Sequence, residues 1–215
     1  CIHSYSLIHD DLPCMDNDTI RRGKPATHIK FGEASAVLAG SSLLTLAFEI
    51  IADKKYSLNP KAKNEIIKFL SSCSGHTGIA GGQELDLKFE NKKKGINQII
   101  DMQKKKTGKL FNFCLYAVGV VAKKNTKDKL FLSNLGEEIG LLFQLADDFL
   151  DFRGLKRLLG KPVKKDHKKG KSTLINLMGE KKAYLFANNL KKNILRKVGK
   201  HGKSTKELIS TSEMR

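Results

Sequence analysis

Residues 140–151 read Gly-Leu-Leu-Phe-Gln-Leu-Ala-Asp-Asp-Phe-Leu-Asp, and this pattern predicts a helix with carboxylates along one side. At 3.6 residues per turn, the polar positions and the glycine fall within a stripe about 100° wide. The members of this stripe are Gly140, Gln144, Asp147, Asp148 and Asp151. The other positions are almost all apolar, which is typical of a helix that is buried on every side.

Carboxylates on such a helix need compensating positive charge. Burying each one unpaired costs on the order of several kcal/mol. Asp147 and Asp151 are one turn apart, about 6 Å along the axis, which suits a hard cation with oxygen ligands. The alternative is a solvated acidic patch at a helix end, but Phe149, Leu150 and Phe152 beside the aspartates argue against it.

The composition is strongly basic, with 40 Lys and Arg against 22 Asp and Glu and a formal net charge of +18. A nucleic acid, an anionic membrane or a phosphate-bearing small molecule could each account for such an excess. The lysines occur in scattered short runs, a pattern more typical of a solvated surface. The absence of Trp and an aromatic content of 7% disfavour the stacking platforms that nucleic-acid binding uses. We therefore expect no nucleic-acid partner.

The cysteines and the apolar segments indicate a cytoplasmic protein without a transmembrane segment. Cys1, Cys14, Cys73 and Cys114 have neither metal-ligand spacing nor a disulfide framework, so a reducing compartment is expected. The longest apolar stretches, residues 36–52 and 110–122, read as too short or too polar to span a bilayer. No signal peptide is visible, and because the chain opens in the middle of an apolar pattern we expect further residues upstream.

The periodicity predicts an all-α protein with one domain. Strand alternation is essentially absent, and the four prolines fall at expected breaks. A loop is expected over 14–27 and another over 154–171. The predicted helices cover 1–12, 31–52, 59–88 with a glycine-rich interruption, 96–106, 109–121, 127–152 and 172–198.

A second acidic cluster follows the first predicted helix. Asp10, Asp11 and Asp16 lie here, and Arg21 and Arg22 come shortly after them. Two acidic clusters that each end an apolar helix suggest divalent cations bridging to a phosphorylated ligand, with basic residues on the other phosphate oxygens. On this evidence alone a phosphatase, a nuclease and a transferase all remain open.

Five motifs in order resemble those of the trans-isoprenyl diphosphate synthases. They are DDLPCMDND with RRGKP (10–25), GGQELDL (81–87), Lys-Thr-Gly (106–108), GLLFQLADDFLD (140–151) and LGKPVKKD with GKST (159–173). The resemblance covers nearly the whole chain and is strongest to bacterial farnesyl and plant-type geranylgeranyl diphosphate synthases. It implies an isoprenoid synthase-type helical bundle around a central cavity, paired as a homodimer. It also implies that 1–215 is a single polyprenyl synthase domain that lacks its N-terminal helices and its C-terminal tail.

The resemblance implies that both aspartate clusters hold Mg²⁺ against an allylic diphosphate. About three ions are expected, and Mn²⁺ is an alternative because it accepts the same oxygen donors. The implied metal-binding residues are Asp10, Asp11 and Asp16 of the first cluster and Asp147, Asp148 and Asp151 of the second.

The resemblance also assigns the substrates of a head-to-tail condensation. Arg21, Lys106, Lys161 and Lys171 match residues that bind the allylic diphosphate, and His3 and Arg22 match residues that bind isopentenyl diphosphate. Thr107 and Gln144 match groups beside the developing allylic cation. The implied catalytic set is Lys106, Thr107, Gln144 and Lys161. The implied mechanism is ionisation, condensation and elimination, without a side-chain nucleophile.

Tyr5 bears on the length of the product. It lies five residues before Asp10, about 7.5 Å deeper along its helix, where a fifteen-carbon tail would run out of room. In the resembling enzymes a bulky aromatic residue here goes with farnesyl products, so farnesyl diphosphate is expected and geranylgeranyl diphosphate is the alternative. An aromatic residue at this place is also common as plain core.

Three positions depart from the pattern of the family. Leu155 stands where an acidic residue is usual, Lys164 where a glycine is common, and Ser41 where an aspartate is usual. A non-catalytic partner subunit of a prenyl synthase is therefore an alternative of another class, although such subunits generally lose the aspartate motifs, and both are intact here.

Overall fold

The computed structural model describes residues 1–154 and 171–199, and in these residues the fold is helical, as predicted. A two-stranded antiparallel hairpin, β1 (Ile20–Arg21) and β2 (Lys24–Pro25), is the only sheet in these ranges. The helices of the same ranges are α1 (Ile2–Asp10), α2 (Thr27–Phe31), α3 (Glu33–Ala52), α4 (Pro60–Ser74), α5 (Ile79–Phe89), α6 (Ile96–Gln103), α7 (Lys109–Val121), α8 (Thr126–Phe152), α9 (Leu174–Met178) and α10 (Glu180–Gly199).

The long helix α8 agrees with its predicted bounds to within one residue. The side chain of Asn125 caps its first turn by accepting a hydrogen bond from the Asp128 amide. After Arg153 the chain leaves the helix through Gly154, whose φ of +72° is the left-handed conformation that commonly ends helices. The prediction that α8 is buried all round is wrong, because Phe143 and Phe152 are 42% and 43% exposed.

Glycines divide two of the predicted helices and mark the start of a third. Gly32 (φ +87°) separates α2 from α3, and Gly179 (φ +80°) separates α9 from α10, because these backbone angles cannot continue a helix. The predicted helix 59–88 divides into α4 and α5, and a Cβ on Gly78 would lie 1.9 Å from the Cys73 carbonyl oxygen. The hairpin in the predicted loop turns at Arg22 and Gly23, which both have positive φ, as tight hairpin turns require.

The predicted break at 107–108 is instead a π-helical turn, Lys104–Gly108, that joins α6 to α7. Such insertions of one wider turn are often found at functional sites. Gly140 of α8 allows close packing against this turn, since a Cβ there would lie 2.6 Å from the Gly108 Cα. Helix α8 is thereby placed directly against the residues that follow α6.

The core consists of three apolar clusters. One joins α8 to α5, α6 and α9 around Leu145 and Leu174, and a second joins α1, α3, α4 and α5 around Leu70. The third joins α8 to α10 around Leu135 and Ile194. These clusters fix the C-terminal ends of α1 and α8, and both acidic clusters lie at those ends.

Helix α3 is apolar but little buried. The sequence predicts that residues 36–52 are too short or too polar to span a bilayer. The folded helix Glu33–Ala52, however, has a mean hydropathy of 1.7 and meets the length and composition of a membrane-spanning helix. Core helices of soluble proteins can also have this length and composition. Only 17% of its apolar window is buried, and Val37, Leu38, Leu46 and Ile50 are exposed.

Candidate active site

The first acidic cluster is formed where α1 ends. Pro13 cannot continue the helix, and the chain turns back so that the Asp16 amide donates to the Asp10 carbonyl oxygen at 2.9 Å. Asp11 and Asp16 are buried and Asp10 is half-buried. The three predicted ligands of this cluster therefore lie within one tight turn.

Two lysines from distant parts of the chain neutralise this cluster. The Lys106 ammonium lies 3.4 Å from Asp10, 3.9 Å from Asp16 and 2.7 Å from Asp86. The Lys171 ammonium lies 2.9 Å from both carboxylate oxygens of Asp16 and 3.4 Å from Asp86. Three carboxylates and two ammonium groups thus form one connected network.

The pKa values in this network follow from its charges. Burial alone would lower the pKa of Lys106, but Asp10, Asp86 and Asp16 outweigh it and hold the pKa well above its usual value. Burial would likewise raise the pKa of Asp86, whereas Lys106 and Lys171 hold it below the usual range. Lys106 and Asp86 are therefore charged at neutral pH.

The second acidic cluster is held by amides. Asp148 is buried, and its two oxygens accept hydrogen bonds of 2.9 Å from the side-chain amides of Gln103 and Gln144. The Thr107 hydroxyl donates to the other end of the Gln144 amide at 2.7 Å. Asp151 is buried and Asp147 is half-buried on the same helix. The stripe of polar side chains on α8 thus includes a continuous chain of hydrogen bonds.

Consecutive residues of the π-helical turn connect the two clusters. Lys106 contacts the first cluster, and Thr107 contacts the Gln144–Asp148 pair of the second. Gly82 of α5 allows this turn to approach, because a Cβ at Gly82 would lie only 2.1 Å from the Lys106 amide nitrogen. The two acidic motifs, more than a hundred residues apart in the chain, therefore converge on one turn.

The two arginines have intramolecular partners. Arg21, on the hairpin, donates from Nε to Asp11 at 3.0 Å, and its terminal nitrogen also contacts Asp11 and lies 3.6 Å from Asp18. Arg22 donates to His3 Nε2 at 2.9 Å. Burial and then the Arg22 charge lower the pKa of His3 below its usual value, so the ring stays neutral and can accept this bond. The predicted isopentenyl diphosphate residues are thus in contact with each other.

Tyr5 lies in the apolar core behind the first cluster. It is 7% exposed and packs with Ile2, Ala47, Leu70 and Ile79. Its ring meets the edge of the His9 ring at a centroid distance of 5.3 Å. Tyr5 is therefore a buried core residue that contacts His9, the residue before Asp10.

The structure brings together most of the predicted site residues. Lys161, Leu155 and Lys164 lie outside the described residues, and Ser41 is exposed on α3. Asp86 and Gln103 belong to the site but were not predicted from the sequence. Asp86 lies in the GGQELDL motif, one helical turn after Gly82, but its contacts with the lysines could not be predicted from the sequence. Nothing marked Gln103, whose partner Asp148 is 45 residues away.

The side chains of the site offer carboxylate and amide oxygens, which are hard metal ligands, together with lysine ammonium groups. In residues 1–154 and 171–199, no three His, Cys, Asp or Glu side chains converge closely enough to hold a metal ion unaided. The carboxylates are instead paired with lysines and amides, so any cation here would need further oxygens from a ligand. All four cysteines are free. In the described part of the chain, the carboxylates outnumber the ammonium and guanidinium groups that contact them, so a ligand with several negative charges would bind here only together with cations.

A family model and individual relatives both match this chain over most of its length. The model of the polyprenyl synthetase family matches residues 1–211. The chain is 42% identical to the farnesyl diphosphate synthase of Micrococcus luteus over 83% of its length and 60% of the relative's. It is 41% identical to that of Bacillus subtilis over 84% of its length and 62% of the relative's. The chain thus spans about 60% of the length of these curated relatives.

The fold is also similar to solved structures. A geranyltransferase from Helicobacter pylori, in complex with magnesium and isoprenyl diphosphate, superposes with a TM-score of 0.84 at 35% identity. This likeness covers 93% of the present chain and 65% of the other. The matched family model, the identity to these relatives and the shared fold agree with the convergence of the two aspartate motifs, and the chain belongs to the polyprenyl synthetase family.

Proposed function

We propose that the protein is a prenyltransferase that condenses isopentenyl diphosphate with an allylic diphosphate, head to tail, to give farnesyl diphosphate. The observation that carries this proposal is the Lys106–Thr107 pair, because its adjacent side chains reach both aspartate motifs. A diphosphate held at Lys106 would place its allylic carbon next to Thr107 and Gln144. The names of the Micrococcus luteus and Bacillus subtilis relatives support farnesyl diphosphate as the product.

The metal that this function implies is Mg²⁺, and the residues present fit it. The oxygens of Asp10 and Asp16 are paired with long lysine side chains that can turn toward phosphate oxygens instead. About three ions are proposed, and Mn²⁺ would satisfy the same donors. Bound cations supply charge neutralisation for the leaving pyrophosphate. The residues that would hold them are Asp10, Asp11, Asp16, Asp147, Asp148 and Asp151.

The side chains contribute binding, orientation and electrostatic stabilisation. Lys106 and Lys171, together with Lys161, hold the allylic diphosphate while its carbon–oxygen bond breaks and the electron pair leaves with pyrophosphate. The oxygens of Thr107 and Gln144 lie beside the carbon that becomes positive. Arg21 adds a charge near the same diphosphate, and Arg22 with His3 binds isopentenyl diphosphate.

Bond formation then needs no nucleophile from the protein. The double bond of isopentenyl diphosphate attacks the allylic carbon, and the new cation loses a proton to the departed pyrophosphate. Apolar walls that exclude water keep the cation from being hydrolysed. Tyr5 would limit the chain to fifteen carbons, and geranylgeranyl diphosphate remains the alternative product.

The proposed assembly is a homodimer in the cytoplasm. Between Glu33 and Glu49 helix α3 carries no charged residue, and it exposes Val37, Leu38, Leu46 and Ile50. A second copy packed on these side chains would remove them from water, with the exposed Glu49 at the end of the uncharged stretch. Four reduced cysteines agree with a reducing compartment.

Turnover is the test of this proposal. The chain is incubated with Mg²⁺, geranyl diphosphate and isopentenyl diphosphate, and released pyrophosphate and prenyl product are measured. Asp10→Ala and Asp147→Ala should each lower turnover by about 10³-fold or more, because each removes a charge that organises the leaving group. Asp101→Ala is the matched control, since that side chain is 58% exposed and pairs only locally with Lys105. Turnover by the parent chain that persists in Asp10→Ala would contradict the proposal.

A further inference from the structure

Asp86 is a buried carboxylate to which the proposed function assigns no role. It lies on α5 within the GGQELDL motif and is 7% exposed. Its Oδ2 atom accepts from the Lys106 ammonium at 2.7 Å and from the Lys171 ammonium at 3.4 Å. One oxygen atom is therefore shared by two cations, which come from positions 20 and 85 residues further along the chain.

The two ammonium groups repel each other. Burial and the Lys106 charge would lower the pKa of Lys171, but Asp86 and Asp16 outweigh them and raise it above its usual value. Two like charges this close require a carboxylate between them. Asp10 and Asp16 also contact these lysines, but both are assigned to the metal-binding cluster. Of the three carboxylates, Asp86 is the one that can stay with the lysines when Asp10 and Asp16 take other partners.

The backbone around Asp86 makes it a rigid support. Gly82 lies one turn earlier on α5, and its Cα packs against the Lys106 backbone so closely that no Cβ would fit. The side chain of Asp86 projects from the same face of the helix toward the same turn. The distance between Asp86 and Lys106 is therefore set by the contact of one helix with the π-helical turn.

We infer that Asp86 is a positioning residue that holds the Lys106 and Lys171 ammonium groups in place for the allylic diphosphate. It acts through the lysines and does not touch the substrate. The inference rests on the proposed function, because it concerns the diphosphate that these lysines are proposed to bind. His3 and Arg22 are outside this network, so binding of isopentenyl diphosphate should not depend on Asp86.

Steady-state kinetics of Asp86→Asn test this selectivity. The amide keeps the size of the side chain but removes the charge and turns a donor toward the lysines. The KM for the allylic diphosphate should rise roughly five- to fiftyfold while the KM for isopentenyl diphosphate stays unchanged. Glu84→Gln is the matched control, since this residue is on the same helix with its side chain 63% exposed. An unchanged KM for the allylic substrate, or an equal rise in both, would overturn the inference.

A binding experiment separates positioning from general damage. Calorimetry measures the affinity of the chain for inorganic pyrophosphate with Mg²⁺. Asp86→Asn should weaken binding in the parent chain but add little in a Lys106→Met/Lys171→Met background, because its effect passes through those lysines. Equal weakening in both backgrounds would contradict the inference. Asp86→Ser, with a smaller uncharged side chain, is measured in parallel and should give the same pattern if the asparagine variant does not fold.

The same experiments keep this inference separate from the proposed function. If the parent chain neither binds pyrophosphate nor turns over, the proposed function fails. If the parent is active and Asp86→Asn behaves like Glu84→Gln, only the role of Asp86 fails.

Discussion

At the scale of single residues, the site depends on side chains that serve two partners at once. The Gln144 amide accepts from Thr107 with its oxygen and donates to Asp148 with its nitrogen. Its orientation is therefore determined, and the oxygen points toward the π-helical turn. A Gln144→Glu change would place a carboxylate against Asp148, which shows that the amide is required for chemical as well as steric reasons.

Tyr5 is expected to limit the length of the product. Tyr5→Ala should shift the product from fifteen toward twenty carbons or more, because it removes a buried ring about 7.5 Å below Asp10. Products are dephosphorylated and separated by chromatography. Tyr5→Phe keeps the ring and should keep the product of the parent chain. A fifteen-carbon product from Tyr5→Ala would show that another residue limits the chain.

At the scale of helices, local signals predicted the elements better than their junctions. The apolar period was enough to place α8 to within one residue. The exact breaks at Gly32 and Gly179 depend on backbone angles that glycine permits but does not impose, and the two-residue strands were too short to show alternation. The acidic stripe was predictable because it lies on one helix. The contacts of Asp86, Gln103 and Lys171 were not, because their partners are brought close only by tertiary packing.

The close contact between Gly82 and the Lys106 backbone leads to a prediction about stability and binding. Gly82→Ala should lower the free energy of unfolding by about 1–3 kcal/mol and also raise the KM for the allylic diphosphate. Both effects have one cause, because the added methyl group must push α5 away from the Lys106 backbone. Urea unfolding and steady-state kinetics measure them. Gly95→Ala is the control, since the nearest atom to a Cβ there is 3.7 Å away. A Gly82→Ala variant with the same free energy of unfolding as the parent chain would contradict the close contact between α5 and the Lys106 backbone.

At the scale of the whole molecule, the exposed face of α3 should decide the oligomeric state. The chain is expected to be a dimer by light scattering, and Leu38→Asp should make it monomeric, because Leu38 is 67% exposed within the uncharged stretch. Leu185→Asp on α10 is the control, with a parent side chain that is 61% exposed. A monomeric parent chain would mean that the face is not covered by a second copy. Partition of the parent chain into vesicles would point to a lipid surface instead.

The contact between Lys171 and Asp16 joins positions 155 residues apart. During synthesis on a ribosome the first aspartate motif emerges early, whereas this lysine emerges only after most of the chain has been made. Until then Asp16 and Asp86 lack their contact with the Lys171 ammonium, and an acidic patch is left exposed on the nascent polypeptide. The candidate site is consequently expected to be among the last parts of the protein to form, and a prematurely terminated chain would carry the aspartates without the Lys171 charge.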